Sequence, residues 1–151
     1  MSNGRHEDKP KLRIASPWKT REIIQRHGLM MKKSLGQNFL IDDNVLQKIV
    51  AGADLNPSVG VLEIGPGIGS LTERLVEQAK KVVAVEIDSK LIPVLQEQFA
   101  GCENLAIVHQ DILKTDIPEL FRQYFPECDA VHVVANLPYY VTTPIIMHLL
   151  E

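Results

Sequence analysis

The sequence predicts an α/β fold built on a doubly wound parallel sheet. From Val59 onward, short apolar runs alternate with amphipathic stretches of helical periodicity, which indicates repeated strand–helix–strand units. The apolar runs are nearly continuous, as expected for parallel strands that are covered on both faces. Because the connections between parallel strands are right-handed, four such strands are expected to lie in the order 3-2-1-4.

The predicted elements follow one another along the chain. A helix over DDNVLQKIVAGA is expected to have Asp42 or Asp43 as its N-cap and to place four apolar residues on one face: Val45, Leu46, Ile49 and Val50. The predicted strands are VGVLEI, KVVAVEI, NLAIVHQ and DAVHVVA. Three helices are expected between the strands. The first begins with a Ser70–Glu73 capping box, the second has Ser89 as its N-cap, and the third covers IPELFRQYF.

The chain ends at Glu151, within a predicted apolar helix that has Thr143 as its N-cap and Pro144 at its first position. A sheet that stopped at its fourth strand would leave that strand as an exposed apolar edge. The sequence is therefore predicted to be the N-terminal portion of a larger domain, truncated after the fourth strand.

The composition is that of a globular chain with no membrane span. Its 151 residues are 45% hydrophobic and 23% charged, which excludes a disordered chain, and no apolar run reaches the length that a spanning helix needs. The N-terminus lacks the apolar segment of a secretory signal, so a cytoplasmic protein is expected. Cys102 and Cys128 are predicted to be reduced packing residues. Neither the cysteines nor the five histidines have metal-ligand spacing, and no metal is expected.

The N-terminal residues are basic, whereas the rest of the chain is acidic. Residues 1–33 carry nine Lys or Arg and three acidic residues, a balance of +6, and the remaining 118 residues have a balance of −9. This asymmetry is typical of a protein that binds a polyanion, and equally of a solvated tail. Residues 1–17 are predicted to be a flexible basic arm and residues 18–151 the folded part, with a short helix over 19–28 that Gly28 ends.

Three predicted strands are followed by residues that suit a nucleoside cofactor. In open α/β sheets, ligands bind at the carboxyl ends of strands near the point where the strand order reverses. A glycine turn follows strand 1, where backbone can approach a ligand closely and expose N–H groups: Gly65, Gly67 and Gly69. Glu86 ends strand 2, where a carboxylate can accept both ribose hydroxyls. A glycine turn alone is shared by binders of NAD, FAD and S-adenosylmethionine.

The other acidic residues at these strand ends narrow the choice of cofactor. Asp111 ends strand 3 and is expected to accept from an adenine N6 amine, with Ile87 and Ile112 on either side of the ring. Glu63, at the end of strand 1, is placed to meet an ammonium group. A pyrophosphate beside Glu63 would be repelled, which favours the cationic S-adenosylmethionine. A nicotinamide-dependent oxidoreductase is the alternative.

The fourth strand is followed by an Asn-Leu-Pro-Tyr turn that suits methyl transfer to an exocyclic amine. The side-chain oxygen of Asn136 and the carbonyl of Leu137 can both accept from the amine, and Pro138 fixes the turn. Tyr139 offers a face on which a base can stack. Two acceptors would orient a weakly nucleophilic adenine N6 toward a methyl group, so the catalytic effect is orientation and electrostatic preorganisation.

The motifs SLGQNFL, EIGPGIGSLT, VEID, QDIL and NLPYYVTTPI together resemble those of the ribosomal RNA adenine dimethyltransferases of the KsgA type. The resemblance runs from about Ile14 to Glu151. It implies a class I, Rossmann-like S-adenosylmethionine-dependent methyltransferase fold, and dimethylation of N6 of two adjacent adenosines in the 3′-terminal hairpin loop of small-subunit (16S) ribosomal RNA. Members are close to twice this length, with further strands and a C-terminal helical domain that are absent here.

The resemblance also implies roles for individual residues. Asn38 and Leu40 would close the cofactor pocket, Asn136 would lie beside the transferring methyl group, and Tyr139 would stack on a base flipped out of the RNA. Gly65 would contact the methionine portion of the cofactor, with Glu86 at the ribose and Asp111 at the adenine.

The resemblance favours the first reading of the basic N-terminal residues, as a surface for RNA phosphates. The residues expected there are Lys19, Arg21, Arg26, Lys32 and Lys33. The expected partner is small-subunit ribosomal RNA in a pre-30S particle, bound by a monomer. An Erm-type enzyme acting on 23S RNA, a non-catalytic RNA-binding assembly factor and an inactive fragment are the alternatives.

Overall fold

A computed structural model describes residues 13–29 and 43–135. Its sheet has four described strands: β1 (Val59–Ile64), β2 (Lys81–Glu86), β3 (Leu105–His109) and β4 (Ala130–Ala135). They pair in parallel in the order β3-β2-β1-β4. The predicted strand order is confirmed. The strand order reverses at β1, because β2 and β3 lie on one side of it and β4 lies on the other.

The described helices cover both faces of this sheet. They are α1 (Pro17–Arg26), α2 (Asp43–Gly52), α3 (Ser70–Gln78), α4 (Ile92–Gln98) and α5 (Ile117–Tyr124), with a short 3-10 helix at Ile112–Lys114. No helix within the described ranges is long and apolar enough to cross a membrane.

The core has a layer on each face of the sheet, because the side chains of a strand alternate between faces. All six residues of β1 are buried. One layer joins Leu62 and Val83 to Leu120 and Phe125 of the α5 segment, and the other packs Val61 against α2 and α3. Burial on both faces explains why β1 and β2 read as continuous apolar runs.

The first helix begins earlier than predicted. Ser16 is its N-cap, with its side chain accepting a hydrogen bond from the Lys19 N–H (3.2 Å), and Pro17 occupies a first-turn position. Ile14 is buried, and its N–H donates to Glu73 Oε1 (3.0 Å). Residues 13–17 of the predicted flexible arm are therefore folded against the domain.

Two predicted helix caps are wrong. The N-cap of α3 is Gly69 rather than Ser70, so no side chain caps that end, and the Glu73 carboxylate accepts from Ile14. The helix after β2 begins at Ile92 and not at Ser89. In α2, Val45 is exposed rather than on the buried face, which Leu46 and Val50 form.

The predicted helix at Thr143 and the predicted N-cap at Asp42 lie outside the described residues.

The close approach of Phe125 to β1 gives a test of the core. A Cβ on Gly60 would stand 2.5 Å from Phe125 Cδ1 and 3.0 Å from Cys128 Sγ, and the buried ring has little room to move. We expect Gly60→Ala to lower the free energy of unfolding by about 1–3 kcal/mol, measured by urea denaturation. The control is Gly52→Ala, where the added methyl meets nothing within 4 Å. Equal stabilities for the two variants would contradict this packing.

Candidate functional site

The carboxyl ends of β1, β2 and β3 meet at one edge of the sheet. The register pairs Ile64 with Val85 and Glu86 with His109, so the residues that follow the strands lie side by side. The Gln110 N–H donates to the carbonyl of Glu86 (3.2 Å), which extends this alignment past the last strand pair. The glycine turn, Glu86 and Asp111 are thus neighbours in space, as predicted from their positions after successive strands.

The glycine turn is held to β2 by two hydrogen bonds. Its three glycines have positive φ angles of 72°, 63° and 99° at Gly65, Gly67 and Gly69, a backbone region in which other L-residues are strained. The Gly65 N–H donates to the carbonyl of Val85 (2.9 Å), and the Gly67 N–H donates to Glu86 Oε1 (3.1 Å). The position of the turn therefore depends on the Glu86 carboxylate.

Gly69 has a packing role that its predicted cofactor contact did not anticipate. A Cβ at this position would stand 2.5 Å from Cε2 of the Phe99 ring and 3.4 Å from Leu95 Cδ2. Glycine is thus required for α3 to pack against the end of α4. A backbone contact between Gly69 and a cofactor stays a prediction.

Glu86 is buried, and both of its carboxylate oxygens already accept one backbone hydrogen bond. Oε1 accepts from Gly67, and Oε2 accepts from the Asp88 N–H (3.0 Å). Burial raises the pKa of Glu86, and these backbone hydrogen bonds oppose that rise. Since a carboxylate has about four lone-pair sites, Glu86 retains acceptor capacity for ligand hydroxyls.

Glu63 lies in the interior of the domain. Its side chain is 2% exposed and its Oε1 accepts a hydrogen bond from Thr72 Oγ1 (2.5 Å) in the first turn of α3. Burial raises the pKa of Glu63 to about 8; the Thr72 hydrogen bond lowers it, and the nearby charge of Glu86 adds to the rise. A positive charge placed beside this carboxyl would stabilise its ionised form.

The residues after β3 agree only in part with the prediction. Asp111 is half-buried and is the N-cap of the 3-10 helix, its Oδ1 accepting from the Leu113 N–H (3.0 Å). Ile87 is 63% exposed and available to a ligand, whereas Ile112 is 5% exposed. Ile112 belongs to the core layer around Phe125, because the 3-10 turn directs it inward, and the placement of a ring between the two isoleucines stays a prediction.

Several predicted site residues lie outside the described residues and stay predictions. They are Lys32, Lys33, Asn38, Leu40, Asn136, Leu137, Pro138 and Tyr139. Within 13–29 and 43–135, no group of three or more His, Cys, Asp or Glu side chains is arranged to hold a metal ion.

Two residues of the site were not identified from the sequence. Thr72 is fully buried and is the hydrogen-bond partner of Glu63, and Ile68, within the glycine turn, packs in a cluster with Ile14 and Ile23 of the N-terminal segment. The sequence does contain a signal for Thr72: it is a hydroxyl residue directly after Leu71, in the first turn of the helix that follows the glycine turn. Nothing local to Ile68 indicates a partner more than forty positions away.

The comparisons with known proteins agree with one another. Residues 28–151 match the family model described as ribosomal RNA adenine dimethylase. The ribosomal RNA small subunit methyltransferase A of Bacillus pumilus is 55% identical over 138 residues, which cover 91% of this chain and 47% of that relative. The chain belongs to the ribosomal RNA adenine dimethylase family.

Solved structures support the placement in the ribosomal RNA adenine dimethylase family. The 23S rRNA methyltransferase ErmE has a TM-score of 0.62 and 34% identity, covering 76% of this chain and 43% of that one. A dimethyladenosine transferase from Plasmodium falciparum has a TM-score of 0.58 and 35% identity, covering 72% of this chain and 37% of that one. The chain spans about half the length of the curated relatives it matches.

The buried Glu63 predicts a pH-dependent stability. With a pKa raised from 4.5 to about 8, the folded chain binds one more proton at Glu63 than the unfolded chain between these values, so the free energy of unfolding falls as pH rises through this window. We expect a smaller fall in Glu63→Gln, which has no proton to lose, in urea denaturation from pH 5 to pH 8. Glu119→Gln, on the exposed surface of α5, is the control and should follow the unmodified chain. Parallel curves for all three proteins would contradict the assignment.

Proposed function

We propose that this chain carries the cofactor-binding part of an S-adenosylmethionine-dependent ribosomal RNA adenine N6,N6-dimethyltransferase. The observation that carries the proposal is the alignment of the glycine turn, Glu86 and Asp111 at three adjacent strand ends. S-adenosylmethionine supplies a methyl group on a sulfonium centre. The order and chemistry of these residues suit the methionine, ribose and adenine portions of that molecule in turn.

The described residues fit an adenosine. Glu86 has lone pairs left after its two backbone hydrogen bonds, and can accept the ribose hydroxyls. Only Oδ1 of Asp111 accepts a hydrogen bond from the described part of the chain, which leaves Oδ2 for an exocyclic amine. The exposed side chain of Ile87 offers an apolar surface to the purine ring.

The start of α3 fits the methionine portion. Ser70 Oγ is buried and has no hydrogen-bond partner among the described residues, and it stands in the first turn of the helix, where N–H groups favour a carboxylate. Thr72, two residues further along the helix, is hydrogen-bonded to Glu63. Ionised Glu63 would attract an ammonium group, and the buried position strengthens that attraction because little water screens it.

The residues after β4 would position the target base. Asn136 and the Leu137 carbonyl would accept from adenine N6 and hold its lone pair toward the methyl group, and Tyr139 would stack on the ring. Ala135, the last residue of β4, pairs with Ile64, which directly precedes the glycine turn, and this register supports the proposal. Lys19, Arg21, Arg26, Lys32 and Lys33 would contribute to RNA binding.

Small-subunit ribosomal RNA in a pre-30S particle is the substrate that we propose, with two adjacent adenosines dimethylated in the cytoplasm by a monomer. The 55% identity to a protein named small subunit methyltransferase A supports this over a 23S substrate, since the named 23S enzyme is 34% identical.

Cofactor choice can be tested by calorimetry. We expect S-adenosylmethionine to bind and NAD not to, and Glu86→Gln and Asp111→Asn each to weaken S-adenosylmethionine binding about 10–100-fold, the size expected for loss of charge-assisted hydrogen bonds. Glu103→Gln is the control, because it removes an exposed carboxylate that precedes β3, at the opposite end of that strand. Tighter binding of NAD would contradict the proposal, and unchanged affinity in both variants would remove Glu86 and Asp111 from the site.

The reaction can be tested by mass spectrometry of the RNA. Undermethylated small subunits and, separately, large subunits are incubated with the protein and S-adenosylmethionine, and N6,N6-dimethyladenosine is measured. We expect the product in 16S RNA alone, and at least a hundredfold less with Asn136→Ala, because the N6 amine would lose an orienting acceptor. Product in 23S RNA would contradict the small-subunit assignment.

A further inference from the structure

The helix α1 is fixed against the glycine turn. Ile14 and Ile23 are buried in a cluster with Ile68, which lies between the second and third glycines of that turn. Thr20 Oγ1 donates to the Ile14 carbonyl (2.5 Å), and this hydrogen bond holds the residue before the helix against its inner side. The inner face of α1 is therefore held against the turn that begins the proposed cofactor site, and the opposite face of the helix is turned outward.

The three described basic residues that are proposed to bind RNA differ in whether they form an ion pair within the described chain. Lys19 Nζ lies 3.1 Å from Glu22 Oε1, and Arg26 Nη1 lies 3.2 Å from Glu97 Oε2. Arg21 is exposed and forms no ion pair with any residue in 13–29 or 43–135. A phosphate would meet an uncompensated charge at Arg21, and would compete with a carboxylate at the other two.

Trp18 lies beside Arg21 on this outer face. The two residues are three positions apart on a helix, so their side chains are neighbours. The Trp18 side chain is 60% exposed, although an indole is among the largest apolar surfaces that a chain can bury. An exposed indole next to a guanidinium that pairs with no described carboxylate offers a flat face and a positive charge together.

We propose that Trp18 is a stacking platform for an unpaired base of the RNA substrate and that Arg21 binds the adjoining phosphate, an inference that rests on the function proposed above. Base stacking on aromatic side chains accepts any base. It requires a base that is not already stacked in a duplex, which favours a loop or single-stranded segment. The platform would hold such a segment on the helix that packs against the glycine turn, without reading its sequence.

Fluorescence gives a direct test, because Trp18 is the only tryptophan of the chain. The free protein should show the red-shifted emission of an exposed indole. Titration with a single-stranded oligoadenosine should quench this emission to saturation, whereas heparin, a polyanion without bases, should bind without comparable quenching. Quenching by both ligands alike would overturn stacking, and a blue-shifted, acrylamide-protected emission in the free protein would show that another segment covers Trp18 and would overturn the platform.

Variants separate the indole from the charge. Trp18→Ala should weaken oligoadenosine binding about tenfold, within the range for loss of one stacked base, and Trp18→Phe should restore most of it. Arg21→Ala should reduce the slope of log affinity against log salt by about one, and Arg122→Ala, which removes an arginine paired with Glu119 on α5, should leave the slope unchanged. Unchanged affinity in Trp18→Ala, or an unchanged slope in Arg21→Ala, would overturn the inference.

The cofactor calorimetry distinguishes this inference from the proposed function. S-adenosylmethionine affinity should be the same in the unmodified chain and in Trp18→Ala. Normal cofactor binding without quenching by oligoadenosine would overturn the platform alone, whereas absence of cofactor binding would overturn the proposed function.

Discussion

The rest of the structure depends on the burial of β1 on both faces and its pairing at both edges. β2 and β4 occupy its two edges, and the helices and core side chains cover its faces. Because both faces and both edges of β1 are covered, the chain can leave this strand only at its carboxyl end. The glycine turn therefore lies there, between the ends of β2 and β4. The chemistry of the site begins with this constraint, since each acidic residue is positioned relative to that turn.

Placing carboxyl groups beside a buried strand has an energetic cost that the structure meets in two ways. Glu86 keeps its acceptor capacity because backbone N–H groups of Gly67 and Asp88 compensate its burial. In the part of the chain that the structure describes, Glu63 accepts from the Thr72 hydroxyl alone, and burial raises its pKa to about 8. The two residues thus differ in the ligand that suits them: Glu86 needs hydroxyl donors, whereas Glu63 gains most from a cation.

The sequence predicted what depends on burial and failed where distant contacts override a local motif. The four strands and their order follow from continuous apolar runs and right-handed connections, and the strand-end acids follow from that order. The Ser70–Glu73 capping box failed because the N-cap is Gly69, which has no side chain, and Glu73 accepts from Ile14, 59 positions away. The burial of Ile112 was not predicted, because it depends on the 3-10 turn that directs this residue to the core. The Ser16–Pro17 pair, an N-cap residue followed by proline, is a sequence signal for the start of α1. It lies in a basic segment whose composition is that of a solvated tail.

The packing of α1 on Ile68 brings together the basic N-terminal helix and the glycine turn, which are far apart in the sequence. Ile68 is flanked by Gly67, which Glu86 holds, and by Gly69, which packs on Phe99. Among the described residues, α1 therefore contacts the glycine turn through a buried apolar side chain. The helix that we propose to bind RNA and the turn that we propose to hold a nucleoside thus pack into one cluster, so the fold positions them relative to each other.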